Sequence, residues 1–121
     1  MYKQRMNHVL TKMQEQGLTQ LLISEPSSVF YLTGVRIEPG ERFMGLLLRS
    51  EKAPVFFIHR LFPVAPQGIA VVGFADADDY LSLVAAETDR QKPLGIDKHL
   101  FAGFLIGLME RKAASAYVNG S

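Results

Sequence analysis

Apolar residues near the start of the chain fall at helical spacing. Met6, Val9, Leu10 and Met13 repeat at i, i+3, i+4 and i+7 among polar residues, and Gly17 is placed to end the helix. Residues 21–23 then read as a short buried strand, closed by Glu25-Pro26-Ser27. A brief helix runs on through Leu32, and Ser27 or Ser28 can cap it, because a hydroxyl accepts from an otherwise unpaired amide. Residues 43–48 and 55–58 are predicted strands on either side of Ser50-Glu51-Lys52-Ala53-Pro54, most simply an antiparallel hairpin. Residues 69–74 form another strand, after which Asp76 or Asp78 caps a helix carrying Tyr80, Leu81, Val84 and Ala85. Lys92-Pro93 leads into a strand at 94–96, a helix spans about 98–112, and 116–118 completes the set.

Early strands joined by a hairpin, followed by strands alternating with helices, predict a mixed α/β sheet with helices on its faces. A chain of 121 residues fits one domain. Thirteen basic residues against twelve acidic give a net charge of +1, which removes the electrostatic case for nucleic acid or an anionic membrane as partner. The absence of cysteine excludes disulfides and thiolate zinc sites, and suits a reducing cytoplasm. The polar start (Lys3, Gln4, Arg5) is unlike a secretory signal. The apolar run at 101–109 is far below the ~18 residues that cross a bilayer.

Candidate chemistry is sparse. His8, His59 and His99 show no ligand spacing, so surface or helix-capping roles are expected. Asp76 and Asp97 both follow strands and could share one sheet edge, where two carboxylates can hold a divalent metal. Both also precede helices, and capping is the preferred reading. Ser24, Ser27, Ser28 and Ser50 lie in turns with no histidine nearby and no Gly-x-Ser-x-Gly elbow. Gly103 and Gly107 lie four apart in a helical pattern, which fits close helix packing. Residues 35–40 form a loop with functional potential. Within and after it, Arg36, Glu41 and Arg42 are the candidate substrate-binding residues: a guanidinium grips a carboxylate through two parallel bonds. The plainer alternative is a Glu41–Arg42 ion pair at a strand entrance.

Several segments, in order, resemble one family. Val29 to Gly34 reads Val-Phe-Tyr-Leu-Thr-Gly and is followed by Glu41-Arg42-Phe43 and a run of leucines. Val71-Val72-Gly73-Phe74 precedes Asp76, Asp78 and Asp79; Gly95-Ile96-Asp97-Lys98 precedes an apolar helix; Ala116-Tyr117-Val118-Asn119 closes the chain. Together they resemble the N-terminal domain of the creatinase/prolidase metallopeptidases, most closely bacterial Xaa-Pro dipeptidases.

The resemblance implies a six-stranded mixed sheet with a ribonuclease H-like core, spanning residues 1–121. It also implies a pita-bread catalytic domain beyond this chain. There two aspartates, a histidine and two glutamates would hold two divalent metal ions, manganese in the expected case. No positions here correspond to those ligands, so this chain is expected to hold no cofactor and to be catalytically silent. Its expected partners are its own catalytic domain, a second subunit in a homodimer, and a proline-containing peptide, in the cytoplasm. The loop would approach the neighbouring subunit's active site, with Arg36 the substrate contact and Glu41-Arg42 more structural. An Xaa-Pro aminopeptidase, a creatinase-like hydrolase, or a stand-alone binding or nuclease-like module are the alternatives.

Overall fold

A computed structural model describes residues 2–63 and 66–120. The elements follow in the order α1 (Lys3–Glu15), β1 (Gln20–Ile23), α2 (Pro26–Thr33), β2 (Met44–Arg49), β3 (Val55–His59), β4 (Ala70–Phe74), α3 (Tyr80–Glu87), β5 (Leu94–Ile96), α4 (Ala102–Glu110) and β6 (Tyr117–Asn119). The six strands make one mixed sheet in the order β4-β3-β2-β1-β5-β6. The expected hairpin is present: β2 pairs antiparallel with β3, with Gly45 opposite Phe57. β2 also runs antiparallel to β1, whereas β1–β5, β3–β4 and β5–β6 are parallel.

Strands β1, β2 and β3 are apolar at nearly every position because both of their faces are covered. Alternate residues feed two cores. Leu21, Ile23, Met44, Leu46, Leu48, Phe56 and Ile58 join Met6, Met13, Val29 and Leu32 under α1 and α2. Leu22, Leu47, Phe57, Phe74 and Leu94 join Leu81, Val84 and Leu108 under α3 and α4. In the second core, Phe43 stacks on Tyr80 at 5.7 Å between ring centres and meets Phe104 edge-on at 5.2 Å.

Three local expectations are corrected. Ser27 and Ser28 do not cap α2. The helix starts at Pro26, whose missing N–H costs nothing there, and the capping position is Glu25. Neither Asp76 nor Asp78 caps α3; Asp79 does, accepting from the Ser82 amide and hydroxyl. The last helix is shorter than 98–112, because Asp97 is turned away toward another partner and the helical turns begin only at Ala102.

Glycine spacing also divides. A Cβ at Gly107 would lie 2.4 Å from Leu81 Cδ1, so α3 and α4 approach closely enough there that a larger residue would displace Leu81; Gly103 faces open space.

Candidate functional site at the sheet edge

β1, β3, β4, β5 and β6 run in one direction, so their carboxyl ends share an edge, to which the N-terminal end of β2 returns. In α/β sheets the crevice outside this edge is where ligands commonly bind. Ser24, His59, Asp76 and Asp97 all stand along it, each just beyond or at the end of its strand.

Asp97 occupies the position between the ends of β1 and β5. It is 8% exposed, and its carboxylate accepts from the Ser24 amide (2.8 Å), the Ser24 hydroxyl (2.7 Å) and the Glu25 amide (2.9 Å). Contrary to expectation, Asp97 therefore does not cap the helix that follows it but ties down the turn that leads into α2. Ser24 is tied up by the same contacts, which leaves its hydroxyl with a structural task.

His59 corrects the surface-histidine expectation. It is 5% exposed, on the same face of β3 as Val55 and Phe57, with its ring edge-on to Phe74 at 5.5 Å. Its Nδ1 accepts from the Leu61 amide at 3.0 Å, so the ring proton lies on Nε2, which donates to Asp76 Oδ1 at 2.8 Å. Arg42 Nε lies 3.6 Å from the same oxygen. Arg42 thus pairs with Asp76 and not with its neighbour Glu41. The backbone at Asp76 is fixed by a turn in which Asp78 accepts from the Ala75 amide at 2.8 Å.

The other two histidines are unremarkable: His8 is exposed on α1, and His99 stacks on Phe101 at 5.8 Å. Farther along, Arg111 reaches from the end of α4 to Asp79 Oδ1 at 2.8 Å. The Ser82 hydroxyl, and after it Arg111, hold the Asp79 carboxyl below its ordinary value of 3.8. Among the described residues no three His, Asp or Glu side chains gather as a metal site. Of the pair that could have shared a metal, Asp97 spends both oxygens on protein partners, while Asp76 engages His59 and Arg42 through Oδ1 alone.

The loop between α2 and β2 is more ordered than its sequence suggests. Gly34 closes α2 with φ of 78°, and the Thr33 hydroxyl accepts from the Val35 amide at 3.1 Å while donating to Val29 O. Ile37 is 4% exposed in the first core and Pro39 is buried, so Arg36, Glu38, Gly40 and Glu41 are the positions left outward. Arg36 rests over the Phe30 ring at 4.4 Å and lies 3.9 Å from Glu38, well exposed. The loop ends in a turn in which the Arg42 amide donates to Pro39 O. All three candidates are exposed, and what distinguishes Arg42 is its ion pair with Asp76 at the sheet edge, beside a shallow cleft lined also by Ser24, Gly40, Phe101 and Phe104.

No helix among the described residues is long and apolar enough to cross a membrane. In comparison with known proteins, the chain is 33% identical over 88 residues to a putative dipeptidase (YkvY) of Bacillus subtilis, covering 66% of this chain and 23% of that protein. It is 30% identical over 71 residues to an uncharacterized peptidase of Staphylococcus epidermidis, covering 55% of this chain and 20% of that protein. The chain therefore spans about a quarter or less of these relatives.

Among solved structures, the creatinase/prolidase N-terminal domain of an X-Pro dipeptidase from Streptococcus pyogenes superimposes with a TM-score of 0.84 at 23% identity, covering 98% of this chain and 93% of that one. A dipeptidase of Pyrococcus horikoshii gives 0.81 at 22% identity, covering 95% of this chain but 33% of that one. Residues 5–119 match the Creatinase/Prolidase N-terminal domain, and the chain belongs to that family.

Proposed function

We propose that this domain is the non-catalytic N-terminal part of a metal-dependent Xaa-Pro dipeptidase. It shapes the entrance to an active site and contributes to assembly of a cytoplasmic homodimer. The hydrolysis belongs to a catalytic domain, which would hold two divalent metal ions, manganese in this reading; they would activate water and stabilise charge on the carbonyl. The residues of this chain do not fit that role. The observation that carries the reading is the fate of the carboxylates at the sheet edge. Asp97 is saturated by the turn into α2, and Asp76 holds His59 and Arg42 on one oxygen, while the adjacent loop keeps Arg36 and Glu41 outward.

A rigid scaffold with charge displayed on one anchored loop suits substrate selection better than bond cleavage. Arg36 is the cation available to a dipeptide's carboxylate, and Phe30 supports its guanidinium without neutralising it. The exposed side chains Phe101, Ile106 and Met109 on and before α4 give the domain an apolar strip suited to another domain or subunit.

Two measurements test this. Residues 1–121 supplied with manganese, cobalt or zinc are expected to leave Xaa-Pro dipeptides intact; turnover surviving a control for contaminating peptidases refutes the reading. In the two-domain protein, Arg36→Ala is expected to raise KM for a free dipeptide about tenfold, the equivalent of ~1.4 kcal/mol. An amidated dipeptide, which has no carboxylate, should lose much less. Equal losses for both, or none for either, remove Arg36 from the substrate site.

A further inference from the structure

A loop that reads a substrate must itself be held in place, and the structure shows what fastens its far end. The near end is locked by Gly34 and Thr33, and the middle by Ile37 in the first core. The far end depends on a turn of four residues, Pro39 to Arg42, closed by one backbone hydrogen bond. That bond contributes about 1 kcal/mol, and buried Pro39 and Phe43 anchor the chain on either side of the exposed Gly40 and Glu41. The Arg42 side chain adds a further attachment, through Asp76.

Asp76 is itself an exposed side chain, and an exposed ion pair alone would leave it free to rotate. The buried ring of His59 removes that freedom. Its Nδ1 is committed to the Leu61 amide and its ring packs perpendicular to Phe74, so Nε2–H points one way, at Asp76 Oδ1. We infer that His59 is a positioning residue for the far end of the loop: through Asp76 and Arg42 it braces the turn at 39–42. This rests on the reading of the loop as a substrate-facing rim, but the brace can be judged separately.

Amide hydrogen exchange in the 121-residue chain reads the brace directly. Asp76→Asn and His59→Ala are expected to speed exchange of the Arg42 amide about threefold or more while β1 and β2 amides stay unchanged, with His59→Gln, which restores an N–H donor, close to wild type. No change at Arg42 in Asp76→Asn, or an equal acceleration throughout the sheet, overturns the inference.

Discussion

Replacing Asp97 tests the central claim that the sheet-edge carboxylates are structural. Asp97→Ala removes the acceptor for two amides and a hydroxyl, in a site where Asp97 is 8% and Ser24 6% exposed. Hydrogen bonds to a charged group contribute about 1.5–3 kcal/mol each, but three such values cannot simply be added. Removing the carboxylate also relieves its desolvation, the Ser24 hydroxyl can rotate, and the half-buried Glu25 amide can reach water. What remains without remedy is the buried Ser24 amide and the lost charge at the turn, a destabilisation of about 3 kcal/mol. That is a large part of the 5–15 kcal/mol by which a domain is typically stable.

With a urea m-value near ~1.5 kcal/mol/M, the unfolding midpoint followed by far-ultraviolet circular dichroism at pH 7 should fall by about 2 M. Asp97→Asn keeps one acceptor oxygen but sets an amide group against an amide donor, and should fall roughly halfway. A shift below about 0.5 M for Asp97→Ala refutes the reasoning. So does a manganese-dependent rise of the wild-type midpoint that Asp97→Ala abolishes, since that would make Asp97 a metal ligand.

Two further expectations concern the α3–α4 layer. Gly107→Ala places a methyl 2.4 Å from Leu81 Cδ1 and should destabilise by about 1–3 kcal/mol, whereas Gly103→Ala enters open space on the same helix and should stabilise by about 0.5–1 kcal/mol; urea midpoints moving in the same direction for both would contradict the helix contact. The Asp79 carboxyl is depressed, so its contribution is complete above its ordinary value of 3.8 and is lost as pH falls through the lower, folded value. The stability difference between wild type and Asp79→Asn should therefore be constant near neutrality and vanish only below pH 3.8. Convergence well above that value would mean that the Ser82 and Arg111 contacts do not stabilise the ionised form.

The strands were legible because burial on both faces leaves an unbroken apolar run, as at Leu21 to Ile23 and Val55 to Ile58. The family was legible from the order of such segments, although each alone is ordinary turn and strand chemistry. What the sequence concealed was the choice among equivalent polar groups. Three aspartates at 76, 78 and 79 can each cap a helix. Asp79 does so here, where Ser82 lies three residues on and Arg111 arrives from the far end of α4. Asp97 had the spacing of a cap for its own helix, and a turn 73 residues earlier claimed it instead. No local pattern contains that competition, because it is decided only once β1 and β5 lie side by side.

One feature of the sheet edge could have been found earlier by parity. His59 continues the Val55-Phe57 alternation, which puts its ring on a core face and obliges it to find a polar partner there. Phe43 is buried in the second core, so the backbone at Arg42 is fixed from that side, and its side chain reaches a carboxylate across the edge. Asp76 meets both demands on one oxygen, accepting from the buried ring and lying 3.6 Å from the surface arginine. The same two contacts link the loop to the sheet. At the edge where ligands ordinarily bind, Asp97 is filled by the protein's own hydrogen bonds, and the neighbouring loop carries Arg36 and Glu41 outward.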